Sequence, residues 1–326
     1  MGHVPIGVMY RCDNPPENLP AYARLAERLG YDELWLVEDC FFAGGVSAAA
    51  VAAAVTERLT VGLGIMPAAF RNPAVTAMEI ATLARIFPGR IHAGLGHGVA
   101  EWVRQVGAEH ESPLAVLDET VGAVRDLLAG RTVQVAGRHV NLAGVALEFP
   151  PDPAPPVATG VRNERSLRLS GRTADGTVLA EGASPDYVRW ARGLIDEGRR
   201  SAGREDAHRL TVYAHLDFDD DPGSARREIA ARLLGGAPLP VADAELADEV
   251  AALVGAYPQV AGLAAALPAG YLDRFAVAGD AARCQAAVER LTAAGADAVI
   301  LVPPRDPQLG VAQITQAADQ LLPLLR

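Results

Sequence analysis

Leu59-Thr60-Val61-Gly62-Leu63-Gly64-Ile65 is followed by a helical stretch from Pro73 to Phe87, and then by Arg90-Ile91-His92-Ala93-Gly94-Leu95. A β-branched run, a helix and a second run make one strand–helix–strand unit. Pro73 suits its first helical position, where the missing N–H costs nothing. The same alternation extends in both directions. Upstream lie Ile6 to Tyr10, a helix from Leu19 to Leu29, the run Glu33 to Val37, and an Ala-rich stretch to Thr56. Downstream lie Pro156 to Thr159, Gly176 to Ala180, Leu210 to Phe218 and Ala296 to Val302, each followed by helical pattern. Eight such units predict an α/β fold, a (β/α)8 TIM barrel with insertions. The rival, an open doubly wound sheet, wants a GxGxxG turn after its first strand. That strand runs instead into Arg11-Cys12-Asp13-Asn14-Pro15-Pro16.

Two stretches exceed the minimal unit. Thr132 to Leu147 alternates like a hairpin around Gly137, and the Ala-rich segment 219–271 follows the acidic run Asp217 to Asp221. Both read as additions to one domain spanning 1–326, the second as extra helices.

Half of the 326 residues are hydrophobic and 21% are charged, which supports a large core and excludes a disordered chain. The formal charge is −11, so non-specific binding to nucleic acid or to an anionic membrane is not expected. All 29 basic residues are Arg, which excludes a Schiff-base lysine and a Walker lysine. Three scattered cysteines without a CxxC suit a reducing compartment. The first residues show no signal peptide, and the apolar run from Val46 to Val55 is too short to span a bilayer, so a cytoplasmic protein is expected.

In a barrel of this kind the active site lies at the C-terminal ends of the strands. The second strand ends in Glu38-Asp39-Cys40-Phe41-Phe42. These residues read either as an acid–base cluster in an apolar mouth or as an N-cap with a buried cysteine. The fourth strand ends in Gly96-His97-Gly98. Glycines let backbone approach a ligand, and a histidine between them at a strand end points to a ligand contact rather than to the core. The fifth strand ends in Gly160-Val161-Arg162-Asn163, ahead of a helix. It reads as a phosphate site, or else as a loop with a surface arginine. The seven histidines lack HxxxH or HExxH spacing, and no G-x-S-x-G elbow is present. No metal site is expected. A phosphate-bearing organic cofactor is then the chemical agent.

The chain resembles the bacterial luciferase-like superfamily. The resemblance rests on Thr60 to Ile65 with Arg71-Asn72-Pro73-Ala74-Val75, on Phe87 to Gly98, on Gly30-Tyr31-Asp32-Glu33-Leu34-Trp35, and on Gly171-Arg172-Thr173-Ala174-Asp175-Gly176. Within that superfamily it resembles the branch containing methylenetetrahydromethanopterin reductase and F420-dependent glucose-6-phosphate dehydrogenase, and the resemblance is weakest over 219–271. That likeness implies the deazaflavin F420 as cofactor, with FMN as the alternative. It also implies a non-prolyl cis peptide at Gly64–Ile65 behind the ring, and a homodimer packed through the second and third barrel helices. The implied cofactor contacts are Cys40, Gly64, Ile65, Met66, His97, Gly98, Gly160, Val161, Arg162 and Asn163.

Three departures bear on chemistry. Asp39-Cys40 replaces the family's acid–histidine pair, Val99 stands where the sugar-phosphate enzyme has an acid, and Arg162-Asn163 replaces a Gly-Gly pair. Sugar-phosphate oxidation is therefore not expected. The expected reaction is hydride transfer between the deazaflavin C5 and an activated C=C or C=N bond of a small substrate. Asp39 and Glu181 are the candidate proton-transfer groups. The alternatives are an FMN-dependent monooxygenase and a cofactor-binding protein without turnover.

Overall fold

A computed structural model describes residues 4–219, 222–235 and 244–326. Met1 to His3, Asp220 and Asp221 at the end of the acidic run, and 236–243 within the expected insertion lie outside the described residues.

The barrel closes as expected. Strands β1 (Ile6–Tyr10), β2 (Glu33–Leu36), β3 (Thr60–Pro67) and β4 (Ile91–Gly96) pair in parallel in sequence order. The antiparallel hairpin β5–β6 (Val133–Ala136, Asn141–Val145) stands apart. The barrel resumes with β7 (Val157–Gly160), β8 (Gly176–Leu179) and β9 (Arg209–Asp217). It ends with β11 (Ala298–Val302), which pairs with both β9 and β1. The eight barrel strands are the eight runs read from sequence. A further short strand, β10 (Ala276–Ala278), was not foreseen; it pairs with His215–Asp217 of β9, beyond Val212, where β8 stops.

The barrel helices are α1 (Leu19–Arg28), α2 (Gly45–Ala54), α3 (Pro73–Ile86), α5 (Pro113–Leu128), α6 (Glu164–Thr173), α7 (Pro185–Ser201), α12 (Ala281–Ala293) and α13 (Pro307–Gln320). Their starts are written in side chains that accept the first free N–H groups: Asn72 for α3, Ser112 for α5, Ser184 for α7, Asp280 for α12 and Asp306 for α13. A short α4 (Ala100–Gln105) lies between β4 and α5, and α14 (Leu322–Leu325) closes the chain. The helical excursion consists of α8 (Gly223–Leu234), α9 (Ala244–Ala256), α10 (Val260–Ala266) and α11 (Ala269–Phe275). It has its own apolar cluster, with Ile229, Leu263 and Phe275 at its centre.

Inside the barrel the filling is uneven. Met9, Trp35, Val178, Tyr213 and Ile300 form one cluster. On β3 there is room only for glycine: a Cβ at Gly64 would stand 1.8 Å from the Tyr213 hydroxyl and 2.6 Å from the Trp35 ring. At the N-terminal end of the strands a polar group plugs the barrel. Trp35 donates through Nε1 to Glu33 at 2.7 Å, Arg209 ion-pairs with Glu33, and the same guanidinium reaches His92 Nδ1 at 2.9 Å. Burial, with Arg209 adding to it against Glu33, pulls the His92 pKa down to about 4. The Gly171–Gly176 signature is structural as well. Asp175 accepts from Val157 N at 3.0 Å and pairs with Arg125, which ties α5 and α6 to the start of β7.

Candidate active site

The strand period of two puts Arg11 one step above Met9 and His215 one step above Tyr213, both toward the C-terminal mouth. Asp39 follows β2 and Glu181 follows β8, so the ends of four barrel strands supply polar groups here. The Cys12 thiol donates to Asp39 Oδ2 at 3.4 Å. Burial pushes the Asp39 carboxyl up, and the neighbouring charges of Glu181 and Asp13 push the same way, against Cys12 and Arg11. Burial acts on Glu181 too, but Arg232, His215 and Arg11 together hold its carboxyl below the usual range. Arg232 reaches Glu181 at 3.1 Å. Two carboxyls whose pKa values are driven apart are suited to opposite roles, Asp39 as the acid and Glu181 as a standing charge.

Helix α8 lends two further charges. Arg232 holds Glu181, while Glu228 pairs with Arg305 at 3.2 Å and approaches Arg11 at 4.0 Å. His215 is only 6% exposed, and its Nε2 has no partner among the described residues. None of Arg11, His215, Glu228 or Arg232 was singled out from sequence. Period-two spacing from Tyr213 marks His215; nothing in the chain's order marks the two α8 residues.

The other side of the mouth is built of glycine and backbone. The Gly64–Ile65 peptide is cis, as expected, and the pairing of β3 with β4 shifts register between Leu63 and Met66. The Ile65 side chain lies across the barrel against β4 and β7. A Cβ on Gly96 or Gly160 would approach it to 2.6 or 2.5 Å. Gly160 therefore has a packing reason of its own. Met66 is 1% exposed and Val161 6%, both in the core cluster, so their side chains are not available to a cofactor and only their backbone borders the mouth. The sequence reading could not separate side-chain from backbone contact.

The exits of β4 and β7 meet. His97, Pro113, Leu114, Asn163, Glu164, Arg165 and Ser166 line one cavity of about 390 Å³. His97 has a buried Nδ1 with no partner among the described residues, and burial lowers its pKa against a hydrogen bond to the Pro113 carbonyl. Asn163 is the N-cap residue of α6 but makes no side-chain cap bond, so the first N–H groups of that helix lack the usual side-chain acceptor. Gly98 has φ +73°, a backbone shape that favours glycine. Arg162 is exposed, and its carbonyl accepts from the Tyr187 hydroxyl. The free N–H groups at the start of α6 are the donors a phosphate requires, so this junction fits a phosphate-bearing cofactor.

Between the two sides lies the end of β2. Glu38 is structural. It forms a bidentate pair with Arg71 and accepts from Gly45 N at 2.9 Å, which caps α2. Of the two readings of this cluster, capping holds for Glu38 and not for Asp39. Cys40 is half-buried rather than enclosed, and its thiol is raised by burial and by Glu38 and Asp39. The Cys40–Phe41 peptide is also cis, which no sequence signal indicated, and Phe41 and Phe42 stand 66% and 56% exposed. No group of three or more metal-ligating side chains occurs among the described residues.

This is a (β/α)8 barrel with a charged half-mouth and a glycine-lined half-mouth. Residues 3–298 match the family described as luciferase-like monooxygenase, and the chain belongs to that family. It is 30% identical to the 5,10-methylenetetrahydromethanopterin reductase of Methanolobus tindarius, over 70% of this chain and 69% of that one. It is 31% identical to the F420-dependent glucose-6-phosphate dehydrogenase of Intrasporangium calvum, over 66% of this chain and 69% of that one. The coenzyme F420 dependent tetrahydromethanopterin reductase of Methanopyrus kandleri superposes with a TM-score of 0.83 at 21% identity, covering all of both chains, which establishes the shared fold.

Proposed function

We propose that the protein is an F420-dependent oxidoreductase acting on a small organic substrate. The observation that carries this reading is the junction of the β4 and β7 exits, where the orphaned His97 Nδ1 meets the uncapped start of α6. The F420 enzymes named among its relatives give the cofactor its identity. F420, when bound, accepts or supplies a hydride at C5 of its deazaflavin ring. His97, Gly98, Asn163 and the first amides of α6 would hold its phosphate, with Arg162 adding charge at the rim. The Gly64–Ile65 segment, with Gly96 and Gly160 beside it, would back the ring.

The charged half-mouth then serves the substrate. Asp39, its carboxyl pushed up by burial, is the group placed to exchange the proton, and Glu181 stands as a charge on Arg232. Cys40 replaces the histidine that the sugar-phosphate enzymes carry at this point, which leaves Asp39 as the acid on this strand end. The reading includes one domain with the α8–α11 helices inserted, and a cytoplasmic homodimer. Val51, Val75, Met78, Ile86 and Phe149 are exposed on and beside α2 and α3, which supports pairing through those helices.

Titration with F420 and with FMN in parallel tests the reading. Saturable binding of F420, with FMN weaker by tenfold or more, is expected. Preference for FMN would overturn it.

A further inference from the structure

Helix α8 meets the barrel through charge and the rest of its insertion through apolar packing. Glu228 and Arg232 stand one turn apart on one face of the helix. Glu228 pairs with Arg305 at 3.2 Å and approaches Arg11 at 4.0 Å, and Arg232 reaches Glu181 at 3.1 Å. The barrel partners follow β1, β11 and β8, so α8 spans the charged half-mouth. The neighbouring face of α8 carries Ala225, Ile229 and Leu233, which are buried in the cluster shared with α9, α10 and α11. Among the described residues no side chain of α8 belongs to the apolar clusters of the barrel. The polar contact is also incomplete, because His215 Nε2 and Arg232 Nε are buried beneath it without a partner. Unpaired buried polar atoms weaken a contact, and partly exposed ion pairs add little to it.

One end of α8 is fixed. Ala225 N donates to Asp217 Oδ2 at 2.7 Å, and Gln313 Nε2 donates to Asp217 Oδ1 at 3.3 Å. Where the insertion rejoins the barrel, β10 pairs with His215–Asp217 of β9. Both attachments therefore meet at the end of β9. Arg232 lies two turns along the helix from Ala225, about 10 Å away. We infer that α8 is a lid on the charged half-mouth, hinged at Asp217 and Ala225, latched by Glu228 and Arg232, and swung open to let a substrate reach Asp39 and Glu181. This deepens the reading of that half-mouth as the substrate's side and rests on it. Opening separates charges that water and ions then solvate, while the apolar cluster of α8 to α11 stays intact. Closing seals the substrate from water beside the carboxyls. The junction of the β4 and β7 exits carries no part of the latch, so the cofactor binds with the lid open or shut.

Diethyl pyrocarbonate acylates the histidine rings it can reach, and mass spectrometry of the full chain assigns each site. His110 is exposed and serves as the open reference. His208, 7% exposed and bonded to Thr177 at 2.8 Å beside the start of β9, reports any general loosening. In the wild type His215 is expected to react more slowly than His110 by about 10-fold or more. Glu228→Gln, which removes both pairs of that residue, is expected to speed His215 about 10-fold and to leave His208 and F420 affinity unchanged. Salt at about 0.5 M is expected to speed His215 in the wild type and to do less in the variant. Equal His215 rates in the wild type, the variant and high salt would overturn the lid, and so would His215 and His208 rising together. Failure of F420 to bind, with His215 still responding to Glu228→Gln, would refute the cofactor reading and leave the lid standing.

Discussion

The barrel carries a buried polar cluster at each end, and the two differ in one respect. At the N-terminal end Glu33, Trp35, His92 and Arg209 satisfy one another. At the C-terminal end Arg11, Glu181, Glu228 and Arg232 make ion pairs and Asp39 accepts from the Cys12 thiol, but His215 Nε2 and Arg232 Nε are left over, as is His97 Nδ1 at the β4 exit. A closed network makes a plug; an open one awaits a ligand. In this fold the bottom face serves stability and the top face serves chemistry, and the Glu33 cluster and the His215 cluster lie on those two sides.

The largest effect that would sharpen this contrast is at the plug. Arg209→Ala leaves Glu33, 3% exposed, as a buried charge without its counter-ion, and is expected to cost about 3–5 kcal/mol in urea unfolding. A loss under about 1 kcal/mol would show that the plug is not a stability element. Asp39→Asn at the other end is expected to leave stability nearly unchanged while kcat falls about 100-fold. Because the Asp39 carboxyl is raised, the wild-type reduction rate is expected to fall as pH rises through that value. A variant retaining both the rate and this alkaline limb would move the proton elsewhere.

A third, smaller effect concerns His92. Its folded pKa of about 4 lies below the ordinary 6.5, so it contributes stability above pH 6.5 that is lost as pH falls toward 4. Between pH 7 and 5 it should account for about 2 kcal/mol, and His92→Gln should flatten the profile by that amount. An identical pH slope in the variant would show that His92 is protonated in the native state. The smallest effect is at the rim. Arg162 is exposed, so Arg162→Ala is expected to weaken F420 binding by about 1 kcal/mol, less at 0.5 M salt, whereas His97→Ala should cost more. Equal losses at both low and high salt would place Arg162 in a buried contact.

The barrel was legible because its signals are local. Pro73 at a helix start, the β-branched runs and the absent GxGxxG turn each concern a few adjacent residues. The two glycine-bearing strand exits were legible for the same reason, since Gly96-His97-Gly98 and Gly160 to Asn163 announce close backbone approach. Met66 and Val161 show where such reading stops. Adjacent residues of a strand face opposite ways, and a register shift such as that between Leu63 and Met66 resets which way, so a motif names a neighbourhood but not the side chain that faces it.

Order along the chain was enough to read the parallel barrel, and to name Asp39 and Glu181 as candidate acidic groups at its mouth. Folding alone decided that the Asp39 carboxyl is pushed up while that of Glu181 is held down, because the latter depends on Arg232 arriving from α8, 51 positions along the chain from Glu181. It likewise decided that Glu38 is spent on Arg71 and that His92 is enclosed in a plug while His215 is left with an unpaired nitrogen. The physical reason is range. Propensity and periodicity act over a few residues, whereas burial and charge pairing act over a few ångströms between elements that meet only in the closed barrel.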